Sequence, residues 1–174
     1  MKFRMSIIPL KLLALLTFVA LPATCANAES TSETPSVSVS FTPPEGWHMA
    51  EESSLSKRVK VMVIGTSAKG FPPSINIAVE DNFKGSVQQY MKVVKSICDN
   101  KGNTFKNLGT IKTDAGIGNL SQVDAKSAYG PLRMMHVILI KDGTVYIATA
   151  TALAEEFPLF YGAFFKAFKS LKIS

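Results

Sequence analysis

His48 and His136 are the only histidines of this chain, and Cys25 and Cys98 its only cysteines, so acid–base, metal and thiol chemistry have few places to reside. His136 falls in an alternating run in which Met134, Ile138 and Ile140 share its side. A lone histidine on such an apolar face reads as a packed core residue rather than a ligand. The sequence holds no His-Glu-x-x-His helix, no Cys-x-x-Cys pair and no Gly-x-Ser-x-Gly elbow, so metal hydrolysis, dithiol exchange and the common serine hydrolase arrangement lack their signatures. The adjacent carboxylates Glu51-Glu52, Glu80-Asp81 and Glu155-Glu156 could share acid–base work only if their surroundings drove their pKa values apart. Each pair sits at an element edge, where solvation of both members is expected. Gly65, Gly70, Gly116 and Gly118 fall in expected loops, and none opens a Lys-Ser or Lys-Thr helix of the phosphate-binding kind. The expectation is a protein without enzymatic activity and with no catalytic, cofactor-binding or metal-binding residues.

One processing signal is present. Lys2, Arg4 and Lys11 give a positive leader, Leu12 to Leu21 form an apolar run, Pro22 breaks it, and Ala26-Asn27-Ala28 supplies the small residues a signal peptidase needs. Cleavage after Ala28 would leave Glu29 as the mature terminus. The apolar run is about half of the roughly twenty residues that a membrane span requires, so a permanent anchor is not expected. Cys25 offers a second outcome, acylation to a membrane-anchored lipoprotein. Leu21 and Ala23 keep some lipobox character, but Pro22 and Thr24 stand where Leu and a small residue belong, and ordinary cleavage is preferred. Either way the chain is exported, to the periplasm or beyond.

The full chain carries 19 Lys and Arg against 13 Asp and Glu, a net +6. The three leader bases depart with no acid, so the mature balance is +3, too small and too scattered for a nucleic-acid protein. Cys98, between Ile97 and Asp99, is then the sole cysteine; it has no partner for an intramolecular disulfide and reads as a buried, inert thiol. About 145 mature residues make one domain of modal size, able to bury on the order of 70% of its unfolded surface. Residues 29–36 are Ser, Thr, Glu and Pro without a large apolar side chain and read as a disordered tether; residues 37–174 form a single domain.

The elements follow from hydrophobic period. Val37, Val39 and Phe41 alternate with serines as a strand, and Pro43-Pro44-Glu45-Gly46 turns the chain so that Trp47 returns apolar surface to the core. Val59 to Ile64 reads as a strand buried on both faces, and Ile75 to Val79 as its antiparallel neighbour. Ser86 caps a helix that presents Tyr90, Val93, Val94 and Ile97 and stops at Gly102. Phe105 to Thr113 and Leu120 to Ser127 are strands separated by a turn over Asp114 to Gly118. Met134 to Lys141 and Thr144 to Leu153 flank Asp142-Gly143, the strongest short-range hairpin signal. A last helix, from about Glu155 or Phe157 to Leu171, carries a stripe of Phe157, Phe160, Tyr161, Phe164, Phe165, Phe168 and Leu171 with Lys166, Lys169 and Lys172 away from it. The stripe is expected to cover the sheet, in preference to lying on a membrane.

With this order of elements, and with Phe41-Thr42-Pro43-Pro44-Glu45-Gly46-Trp47 as its local motif, the chain resembles the PsbP-like superfamily. That superfamily includes the extrinsic P protein of the photosystem oxygen-evolving complex, a Ran-binding nuclear import factor and DcrB-type bacterial envelope proteins. The resemblance covers most of residues 37–173 and implies an α+β fold, an α/β/α sandwich with a central, mainly antiparallel sheet covered by helices, and an accessory or binding role without an enzymatic site. The leader speaks against a nuclear role. The expected function is that of an envelope protein binding another protein at an exposed sheet edge or at the loops Thr66–Pro73 and Asp114–Asn119. The alternative is a carrier holding a small apolar ligand or lipid between the sheet and the aromatic helix.

Overall fold

The computed structural model describes residues 38–174. The expected cleavage site at Ala26, Ala28 and Glu29, the lipidation candidate Cys25 and the tether lie outside the described residues. Strands β1 (Val39–Ser40), β2 (His48–Met49), β3 (Val59–Ile64) and β4 (Ser74–Glu80) precede helix α1 (Val87–Asn100). Then come β5 (Thr104–Thr113), β6 (Gly116–Ser127), β7 (Gly130–Lys141), β8 (Thr144–Leu153), helix α2 (Phe157–Lys169) and β9 (Lys172–Ile173). Seven strands form one antiparallel sheet in the order β2-β3-β4-β8-β7-β6-β5, and β1 pairs with β9 in a two-stranded ribbon. Helix α1 carries the chain from β4 to the far edge, and the β5 to β8 meander walks back until β8 lies against β4.

Local chemistry fixes the corners. Asp142 and Gly143 both take positive φ, 51° and 76°, as a primed two-residue turn requires, and Lys141 and Thr144 on either side are paired. Helix α1 begins with a capping box: Ser86 Oγ accepts from the Gln89 N–H, and Gln89 Oε1 accepts from the Ser86 N–H at 2.7 Å. The turn between β5 and β6 is tighter than the expected Asp114 to Gly118. Thr113 pairs with Gly116, leaving only Asp114 and Ala115 as turn residues. Gly118 lies within the strand, paired with Ile111, at a place where a side chain would meet Val137 Cγ1 at 2.7 Å.

The register sorts side chains onto two faces. Val63, Ile75, Ile77, Met135, Val137, Ala148 and Ala150 lie on one, beneath Phe157, Phe164, Ala167 and Phe168 of α2. Strand β8 alternates alanine with threonine, and its alanines face the aromatic helix; small residues on the sheet make room for large ones on the helix at interior packing density. The other face carries α1 through Tyr90, Met91, Val94 and Cys98. The expected stripe placed Val93 and Ile97 there instead. The helix is rotated by about a residue, since the Tyr90 hydroxyl donates to Glu80 Oε2 at 3.2 Å and its ring meets Phe83 edge-on. Strand β3 is also less enclosed than expected, with only Met62 and Val63 buried.

Trp47 follows the turn in which its N–H donates to the Pro44 carbonyl and Gly46 sits at φ 75°. Its ring packs edge-on against Phe160 and Phe164, with centroids 6.1 and 5.9 Å away. Across the ring, a Cβ on Gly65 would lie 2.6 Å from Trp47 Cε2. Gly65→Ala should therefore push the indole outward, cost about 1–3 kcal/mol, and red-shift the emission of this sole tryptophan. A fluorescence-monitored denaturant titration reads both effects.

Candidate functional site

The residues singled out for chemistry do not converge. His48 is exposed on β2 while His136 lies on β7, four strands away in the sheet order, a separation of roughly 19 Å at the usual interstrand spacing. His136 is only 3% exposed, on the α1 side of the sheet, paired across strands with Ser121 on β6 and Thr149 on β8. Its neighbours along β7 on that side are Met134 and Ile138, and those diagonal to it on β6 and β8 are Asn119, Val123, Ile147 and Thr151. None is charged. Desolvation consequently depresses its pKa from 6.5 to about 4, and both ring nitrogens, like Ser121 Oγ, lack a hydrogen-bond partner among the described residues. The packed-histidine expectation holds, and no carboxylate shares this lane to orient the ring for general-base work.

The paired carboxylates separate too. Glu80 accepts from Tyr90 and lies 3.6 Å from Arg58, while Asp81 accepts from Thr144 Oγ1. Glu155 is exposed and bridged by Lys69 at 2.8 Å. Glu156 departs from the expected solvated state: it is 7% exposed and accepts a 2.8 Å hydrogen bond from Ser67 Oγ. The expected recognition loop 66–73 is thereby pinned to the start of α2, with Phe71 buried and packed at a tilt against Tyr129. The other expected loop is mostly strand. Asp124 and Arg133 form a two-bond cross-strand pair at 2.7 and 3.2 Å; burial alone would raise the Asp124 carboxyl, but hydrogen bonds from Arg133 and Gln122 bring it below its usual range. The Cys98 thiol is buried, and desolvation, aided by Asp99, pushes its pKa up, which suits an inert side chain. Among the described residues, no group of acids, histidines and cysteines could hold a metal ion, and no helix is long and apolar enough to cross a membrane.

What the structure leaves prominent is the outer face of α2. Phe157, Phe164, Phe168 and, beyond the helix, Leu171 are buried as expected. Tyr161, expected within the same stripe, is 50% exposed and stacks on Phe165 at 4.4 Å. Leu159 is 78% exposed, and Gly162 beside it has nothing within 4 Å of where a Cβ would stand. Adjoining this surface, the Thr42–Glu45 turn and Ala163, Lys166 and Ala167 border an open, shallow groove of about 210 Å³. The Thr42 N–H donates to Ser170 Oγ at 2.8 Å and so holds one wall in place. Sequence reasoning missed Leu159, although the signal was there. At 100° per residue it falls some 140° from Phe164 and 180° from Phe168, opposite the buried stripe.

No family model and no curated protein matches the sequence. Solved structures do. LpqN of Mycobacterium tuberculosis, described as involved in cell envelope biogenesis, is similar with a TM-score of 0.60 at 14% identity, over 82% of this chain and 87% of that one. PA94 of Pseudomonas aeruginosa, a protein of unknown function, gives 0.55 at 14% identity over 72% and 96%. The cyanobacterial PsbP of Synechocystis sp. PCC 6803 gives 0.52 at 10% identity over 87% and 98%. With its seven-stranded antiparallel sheet between two helices, the chain has the PsbP-like fold.

Proposed function

We propose that the protein is an exported, non-enzymatic accessory factor of the cell envelope that binds another protein through the outer face of α2. The observation that carries this reading is Leu159, a large apolar side chain left 78% exposed on that face, beside the groove under the Pro43-Pro44 turn. Exposed leucines alone are ordinary; a leucine one turn from a bare glycine, next to a concave surface, offers a partner both an anchor and a close approach to the helix. The leader-like first residues and the involvement of LpqN in cell envelope biogenesis support an extracytoplasmic setting. The carrier alternative is disfavoured, because the space it needs between sheet and helix is occupied by Phe164, Phe168 and Leu171.

Chemical crosslinking in intact cells of the source organism, followed by purification of the tagged protein, tests the reading. The wild type should yield one defined adduct, and Leu159→Asp, at a site too exposed to affect folding, should reduce its yield about tenfold, as expected for losing one interface anchor. A wild type recovered only as itself, or an adduct indifferent to the substitution, would refute the proposal.

A further inference from the structure

The two helices rest on unlike faces of the sheet. Under α2 lie valines, isoleucines and alanines. On the α1 face, Asn76, Thr149, His136 and Ser121 form one row across β4, β8, β7 and β6, with Ser74 and Asn119 in the rows on either side. Ser74 Oγ, Asn119 Oδ1, Ser121 Oγ and both ring nitrogens of His136 are buried without a hydrogen-bond partner among the described residues, and all of them belong to this face. Each forgoes a bond that water would supply, so the covered state of this face is weakened. Helix α1 packs on β5 and β7 and adds no rung to the ladder. It can leave its seat with every strand pairing and the apolar seat of α2 intact.

We infer that α1 is an acid-released cover: it lifts while the strands and α2 stay folded, and proton uptake by the uncovered His136 favours the lifted form as the solution turns from neutral to mildly acidic. Beneath the helix the imidazole stays neutral down to about pH 4; in water it takes up a proton near 6.5. Below that value the lifted form binds the extra proton and gains population, by about eightfold on going from about pH 7 to about 5.5. Tyr90 and Cys98, on the underside of α1, are both held above their ordinary pKa by burial and stay neutral in this window. Lys106, Asp124 and Arg133 belong to the opposite face of the sheet. On the α1 face, Glu80 and Lys112 each lie two rows and two strands from His136, and Lys92, Lys95 and Asp99 of the helix are exposed.

Amide hydrogen exchange of the full-length protein, referenced at each pH to the intrinsic exchange rate, tests the inference. Amides from Val94 to Cys98 should open at least about tenfold more readily than those from Phe164 to Phe168 of α2, and their opening should rise about eightfold between about pH 7 and about 5.5. His136→Gln and His136→Phe, two replacements that cannot take up a proton, should each abolish the rise while leaving α1 the more readily opened helix. The buried Cys98 thiol gives a side-chain readout of the same event: in a Cys25→Ser background, its reaction with a disulfide reagent, referenced to the urea-unfolded protein at each pH, should follow the same course. Equal protection of the two helices would mean that α1 opens only with the whole domain and would overturn the inference. So would an opening of α1 that does not respond to pH, or one whose response persists in both His136 variants.

Discussion

Phe164→Ala is expected to destabilise the domain by about 3–5 kcal/mol, a large part of the roughly 5–15 kcal/mol such a domain commonly has. The side chain is 0% exposed and touches aromatic rings on three sides, with centroids 5.0 Å from Phe157, 6.0 Å from Phe160 and 5.9 Å from Trp47. Beneath it the sheet offers Ala148, Ala150 and Ala152. Alanines cannot extend into the space vacated, so the cavity persists and its cost adds to the lost transfer free energy. Leu159→Ala on the same helix should stay within about 0.5 kcal/mol. Urea titrations of both variants separate them; equal midpoints would mean that α2 does not cover the sheet.

The second large effect concerns acid. His136 is neutral in the folded protein down to about pH 4, whereas the same residue in the unfolded chain takes up its proton near 6.5. Between those values the unfolded state binds the extra proton, so stability falls as pH falls through the window and the loss levels off below about 4. The displacement corresponds to about 3 kcal/mol. Carboxylates titrate in the same range, so the informative quantity is the difference between wild type and His136→Gln, whose neutral amide cannot charge. The variant's stability curve should lack this slope, and urea midpoints measured from pH 7 to pH 4 read it directly. Parallel curves would mean that the imidazole reaches solvent or a partner that takes its proton.

Features determined by neighbours in the chain were legible from the sequence. Asp142-Gly143 announces its turn because few residue pairs accept two positive φ angles, and Ser86 with Gln89 writes a helix start into four residues. Features determined by distant contacts were not. Nothing local distinguishes a helix face of Tyr90, Val93, Val94 and Ile97 from one of Tyr90, Met91, Val94 and Cys98; the bond from Tyr90 to Glu80 selects the second. Glu156 looks like a surface acid until Ser67, 89 residues earlier, is brought against it. The docking face was obscured by excess. Helix α2 is apolar nearly all round, which conceals where the core stripe ends; its seating on the β8 alanines makes plain that Leu159 is left over on the outer side.

The role of that surplus face is tested most directly by placing a photoreactive phenylalanine analogue at position 159, or at position 92 on the exposed, polar side of α1, and irradiating intact cells. Substitution for Leu159 should give a discrete covalent adduct with another protein, and substitution for Lys92 should give none. Equal labelling from both positions, or capture from position 92 alone, would contradict the assignment of α2 as the contact surface.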